Sequence, residues 1–181
     1  MFPAPSGADY DRAGFTLLEL LAVVAILAIL SGLVLGVGRR TIESSKIARA
    51  KSELSALAAA LESYRQSYGD YPQTDDEARL LQSLIGRRGP QNAALTGRAF
   101  IEIAKFTTAG AFDPFTDSSV ELIDPWDQRY VYAYKSQTPW TNPSFVLYSL
   151  GPDGTDSPSL LPGGFADPGP SVNADNLHAN R

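Results

Sequence analysis

Glu19 is the only ionisable side chain in the apolar run from Phe15 to Val37, inside the stretch GFTLLELLAVVAILAILSGLVLGVGRR that begins at Gly14. A carboxylate at the centre of a bilayer costs about 2.5–3.5 kcal/mol on insertion scales, so its presence there calls for a purpose. A second concentration of polar chemistry lies near the C-terminus. Gly151-Pro152-Asp153-Gly154 is a loop able to turn backbone carbonyls and one carboxylate inward, and Asp156, Asp167, Asn173, Asp175 and Asn176 follow it. These are hard oxygen donors. Other chemistries are poorly provided for. The chain has no cysteine, which rules out disulfides and thiol chemistry, and its single histidine, His178, makes histidine metal sites and Ser/His catalysis improbable. Beyond scattered carboxylates there is no paired catalytic set, so the sequence does not read as an enzyme.

The elements that position these residues follow from periodicity. The apolar run of about 23 residues reaches about 34 Å as a helix, enough to cross a hydrocarbon core of about 30 Å. It follows a short polar segment, Met1–Ala13, whereas the apolar core of a secretory signal peptide is shorter and precedes its cleavage site. A plain membrane anchor with Glu19 near the interface is the other simple reading. Ser31-Gly32, Gly36 and Gly38 mark a segment able to bend, each glycine costing about 1 kcal/mol relative to alanine. From Thr41 to Tyr68, Ile47, Ala50, Leu54, Leu57, Leu61, Tyr64 and Tyr68 recur at steps of three and four, and Arg49, Lys51, Glu53, Glu62 and Arg65 occupy the other face. That stripe suits a sheet of the same chain or a coiled-coil partner; the strands that follow favour the former. Together the two halves make one helix of about 50 residues.

Gly69-Asp70-Tyr71-Pro72 ends the helix. Asp75-Asp76-Glu77 opens a short helix over Glu77–Ile85, with acidic residues at its favourable end. Gly86–Gly110 reads as loop with a short helix near Ala99–Lys105. Arg129–Lys135 and Ser144–Ser149 read as strands, and a third is expected near Val120–Ile123. The expected fold is α+β: a long N-terminal helix packed on an antiparallel sheet of about three strands, with a long C-terminal loop and Trp126 in the core. The expected organisation is residues 15–38 as a transmembrane helix, 39–68 as its amphipathic continuation and 69–181 as a globular domain. The net charge of −5 argues against a nucleic-acid partner.

Gly14-Phe15-Thr16-Leu17-Leu18-Glu19 resembles the prepilin cleavage motif of the type IV pilin-like superfamily. Two further stretches narrow the resemblance to the major pseudopilins of type II secretion. Asp124-Pro125-Trp126 with Tyr130 is similar to their Asp-Pro-Trp-Gly-x-x-Tyr segment, with Asp127 in place of the glycine. Ser149-Leu150-Gly151-Pro152-Asp153-Gly154 is similar to their Ser-Leu-Gly-x-Asp-Gly. The Tyr71-Pro72 step after the helix is also similar. The proline that these proteins usually carry about where Gly36 falls is missing.

The resemblance implies cleavage by a prepilin peptidase between Gly14 and Phe15, which makes residues 1–14 a leader and residues 15–38 the filament core, and N-methylation of Phe15. It also implies pairing of Glu19 with the Phe15 amine of a neighbouring subunit, which relieves two otherwise unpaired buried charges. It implies a calcium ion near the C-terminus, for which roughly 6–8 oxygen ligands are wanted. Asn173-Ala174-Asp175-Asn176 resembles the family's closing segment Asn-Asp-Asp-Ile, so the expected ligands are Leu150, Asp153, Asn173 and Asp175. The implied life of the protein starts at the inner membrane as a single pass with a periplasmic C-terminal domain. Cationic residues after the apolar run, Arg39 and Arg40 onward, taken alone would place that side in the cytoplasm, opposite to the family topology. Assembly then gives a homo-oligomeric periplasmic pseudopilus, working with other pseudopilins and an inner-membrane secretion platform to export folded proteins. A type IV pilin for adhesion, motility or DNA uptake, and a membrane-anchored binding module, are the alternative readings.

Overall fold

The computed structural model describes residues 15–110, 112–157 and 160–179. The expected leader, residues 1–14, and with it Gly14, lies outside them. The chain divides into two compact units, residues 1–42 and 43–181. Helix α1, Leu17–Tyr68, runs without interruption through the glycines at 32, 36 and 38.

In the first unit the large apolar side chains of α1 between Leu17 and Leu30 are all exposed. Among the described residues no helix is long and apolar enough to cross a membrane. The apolar run continues to Val37, and side chains 33–40 lie outside that description.

In the second unit the helical stripe is buried as the spacing requires: Ala50, Leu54, Leu57, Leu61 and Tyr64 face the core, while Ile47 and Tyr68 lie at its margins. Glu53, expected on the polar face, is instead only 7% exposed. α1 ends where Gly69, at φ +84°, adopts the left-handed backbone that glycine accepts without strain, and its N–H closes on the Arg65 carbonyl at 2.7 Å. Helix α2, Glu77–Leu84, starts at Asp76, whose carboxylate accepts the Arg79 N–H at 2.9 Å and so caps the helix. Leu80, Leu81 and Leu84 of α2 join Leu54, Leu57 and Leu61 in one core. The helix expected near Ala99–Lys105 is a single 3-10 turn, Ile103–Lys105.

The sheet differs from expectation in its third member. Strands β3, Val131–Ala133, and β4, Val146–Ser149, pair antiparallel with Val131 opposite Tyr148 and Ala133 opposite Val146. The strand expected near 120–123 exists as β2, Leu122–Ile123, but pairs with β1, Thr107–Thr108, in a separate two-stranded sheet. The third strand of the main sheet is β7, Leu177–His178, set against Tyr148 and Ser149 of β4. A short hairpin, β5 (Leu160–Leu161) and β6 (Phe165–Ala166), lies within the C-terminal loop. Without cysteine, the tail is therefore secured by strand pairing.

Alternate residues of β3 and its flanks point to one face, and here they are tyrosines. Tyr130 donates to Glu53 Oε2 at 2.5 Å, Tyr132 to the Pro72 carbonyl at 2.8 Å and Tyr134 to Asp70 Oδ1 at 2.8 Å. The sheet is thereby tied by hydroxyls to the body of α1 and to the turn that ends it. Burial drives the Tyr130 and Tyr132 hydroxyls well above the ordinary tyrosine range, and the Glu53 carboxylate adds to the effect at Tyr130.

Candidate functional site

The N-terminal site is local. Thr16 caps α1: its carbonyl accepts the Leu20 N–H at 3.2 Å, and its Oγ1 accepts the Glu19 N–H at 3.2 Å. Glu19 reaches back, Oε2 accepting both the Thr16 N–H and the Thr16 hydroxyl at 2.9 Å. This is a reciprocal capping box, and its signal, threonine followed three residues later by glutamate, is readable in Thr16-Leu17-Leu18-Glu19. The lone carboxylate is thus the helix's own N-terminal acceptor, and both contacts fall on Oε2. Phe15, 82% exposed, stands beside it.

The C-terminal site is assembled from distant segments. Asp124 is 2% exposed, and its Oδ1 accepts the N–H groups of Trp126 and Gln128 at 2.9 and 3.0 Å, which closes the turn between β2 and β3. Asp127 in that turn lies at φ +64°, the left-handed region in which glycine, the family's residue here, carries no penalty. Trp126 departs from the expected core position. Half-buried, it donates its indole N–H to Glu43 Oε1 of α1 at 2.8 Å and so anchors the turn to the helix. The other oxygen of Asp124 accepts from the Ser149 hydroxyl at 2.5 Å, and Ser149 Oγ in turn accepts the Gly151 N–H at 3.1 Å. The two sequence motifs of the C-terminal half are therefore bonded to each other.

Beyond Ser149 the chain turns at Gly151, φ +73°, where a Cβ would run into the Asp175 backbone carbonyl and come within 3.0 Å of its Oδ2. The Asp153 N–H donates to Asp175 Oδ2 at 3.1 Å. Leu150, Asp153 and Asp175 are thus drawn from two loops into one corner. Asn173 uses its amide to tie the loops, Oδ1 accepting the Ser157 N–H at 2.9 Å and Nδ2 donating to the Asp167 carbonyl at 2.7 Å. Asp156 accepts from the Tyr148 hydroxyl at 2.6 Å, and burial followed by that carboxylate pushes Tyr148 up.

The chemistry of these donors bears directly on a calcium ion. They are all oxygen, as a hard cation prefers. Among the described residues none of the ion pairs involves Asp153, Asp156, Asp167 or Asp175. The side-chain oxygen of Asn176 is buried without a donor. No three acidic or imidazole side chains converge among the described residues. A fitting ion would draw on the two carboxylates together with backbone carbonyls, and on those terms the residues present fit.

A long N-terminal helix headed by an apolar, exposed half and packed through its second half on a small antiparallel sheet defines a pilin-like subunit. Similarity to known proteins narrows this class. Residues 10–35 match the prokaryotic N-terminal methylation motif, and residues 39–160 match the family of type II secretion system protein G. The type II secretion system core protein G of Pseudomonas aeruginosa is 32% identical over 150 residues, covering 82% of this chain and 89% of that protein. That of Pectobacterium carotovorum subsp. carotovorum is 27% identical over 145 residues, covering 80% of this chain and 79% of that protein. No solved structure matches significantly. The chain belongs to the type II secretion system protein G family and is a structural subunit of the pseudopilin type.

Proposed function

We propose that the protein is held in the inner membrane by the apolar half of α1, with residues 43–181 in the periplasm, until it is built into a pseudopilus that moves folded proteins across the outer membrane. The observation that carries this reading is Glu19 at the capped head of a helix whose large apolar side chains from Leu17 to Leu30 are exposed among the described residues. Removal of residues 1–14 by a prepilin peptidase exposes an amine at Phe15, which is then methylated. Oε2 of Glu19 is occupied by Thr16, which leaves Oε1 for the Phe15 ammonium of the next subunit. A register one residue out would leave both charges unpaired in an apolar filament core, so the pair selects the axial stagger. Other pseudopilins and the inner-membrane platform are the remaining partners.

Calcium is proposed as the ion of the C-terminal corner. When bound it supplies a dication that joins the two loops. Leu150 would contribute its carbonyl, and Asp153 and Asp175 their carboxylates, while Asn173 holds the loops together through its amide.

The test is the mass of the mature N-terminal peptide, made with and without the cognate prepilin peptidase. A peptide starting at methylated Phe15 is expected with it. An intact Met1 leader in its presence would reduce the protein to a membrane-anchored domain.

A further inference from the structure

Ser149 is fully buried and Asp124 nearly so, yet no lysine or arginine among the described residues pairs with that carboxylate. It is instead satisfied by three donors, the N–H groups of Trp126 and Gln128 and the hydroxyl of Ser149. Hydrogen bonds to an ionised acceptor are about twice as strong as neutral ones, so this arrangement is stiff. Its direction matters as much as its strength. Gly151 N–H and Leu150 C=O belong to one planar trans peptide, in which the two bonds point in opposite directions. By holding the Gly151 N–H inward at 3.1 Å, Ser149 Oγ sets the plane of that peptide and aims the Leu150 carbonyl away from the core.

The same turn supports the loop at a second point. There it sets the Gln128 side chain against Gly154, 3.3–3.4 Å from a Cβ built on that glycine, a contact at the tight end of packing. It reaches α1 through Trp126 and Glu43, 2.8 Å apart. A continuous set of hydrogen bonds therefore runs from Glu43 through the turn, Asp124 and Ser149 to the peptide that carries one expected oxygen donor.

We propose that Asp124 and Ser149 are positioning residues for the C-terminal oxygen-donor loop, and that through Trp126 they couple occupancy of the loop to the segment of α1 at Glu43. The inference rests on the calcium reading above. Neither residue is among the expected ligands; each would act through the Leu150–Gly151 peptide. Outer-shell partners of this kind change metal affinity about 10–100-fold when removed.

The experiment uses the full chain in detergent, titrated calorimetrically with calcium chloride after chelation, with amide hydrogen exchange followed over residues 43–50. Ser149→Ala removes the hydroxyl; Asp124→Asn keeps an acceptor for the two N–H groups and guards against loss of the fold. The wild type is expected to bind calcium and to slow exchange over residues 43–50 on binding. Both variants should bind about 10–100-fold more weakly, and Glu43→Ala should keep the affinity while losing the slowing in α1. If the wild type binds and both variants bind equally well, the positioning role is overturned and the calcium reading stands. If the wild type binds without any change over residues 43–50, the coupling is overturned. If the wild type does not bind calcium, the reading beneath the proposal fails and takes it along.

Discussion

Tyr130 of the sheet donates to Glu53 of α1 at 2.5 Å in a site closed to solvent, and Arg49 holds the other oxygen of that carboxylate at 2.7 Å. The Tyr130–Glu53 contact is a charged tie between helix and sheet, with the half-exposed Arg49 at its outer edge. Tyr130→Phe leaves the carboxylate one donor short, and Glu53→Ala leaves the phenol without an acceptor. Each should cost about 1–3 kcal/mol in urea unfolding, with a double-mutant coupling well above experimental error. Additive costs would show that the pair does not act as a unit.

Alkaline pH should unfold the domain through its tyrosines. A tyrosine whose folded pKa is raised contributes stability that is full below its unfolded value and lost as pH rises through the folded one. Burial, with Glu62 beside it, pushes Tyr71 up to about 12, and burial carries Tyr130 and Tyr132 well above their ordinary value of 10.0. Stability should therefore fall from about pH 10 upward. Tyrosinate absorbance should show exposed tyrosines titrating first and the buried set ionising only together with loss of the fold. A single smooth titration of all tyrosines near 10 would contradict the burial described here.

Asp70 gives the opposite dependence. Burial works to raise its pKa, but donors from Lys135, Gln73, Tyr134 and the Tyr71 N–H outweigh it and hold the carboxyl below its ordinary 3.8. A lowered carboxyl contributes stability above the unfolded pKa and loses it as pH falls through the folded value. Asp70→Asn should be less stable than wild type by about 1 kcal/mol at neutral pH, the Lys135 pair being partly exposed. That gap should close below about pH 4. A gap unchanged at pH 3 would assign the loss to packing rather than charge.

Two glycines with similar backbone should respond differently to alanine. Gly69 and Gly151 lie at φ +84° and +73°, but a Cβ at Gly69 meets open space, whereas at Gly151 it meets the backbone of Asp175. Gly69→Ala should cost about 1 kcal/mol, the left-handed penalty alone. Gly151→Ala should exceed that and free the tail, read as faster hydrogen exchange at Leu177 and His178. Equal costs at both positions would show that the two loops do not meet at Gly151.

Much of this molecule is legible in its sequence because the signals are local. A stripe at steps of three and four marks the buried face of α1 whatever it packs on, Gly69 and Pro72 stop the helix, Asp76 caps the next one, and alternation marks β3 and β4. Each reflects the geometry of a few consecutive residues. The Thr16–Glu19 box was equally local, although Glu19 read as a membrane carboxylate hides its role as a cap.

What the tertiary structure alone decided are the partnerships between distant residues. Glu53 reads as a solvated charge because charged residues are seldom buried without a partner, and its partner lies in a strand far along the chain. The third strand is Leu177–His178 because the turn held by Asp124 folds Leu122 back toward Tyr130, 3.2 Å between carbonyl and N–H, leaving the free edge of β4 to the tail. Asp124 and Ser149 belong to separate motifs with no periodicity linking them. They meet because burying an ionised carboxylate requires donors, and the folded chain supplies one from β4.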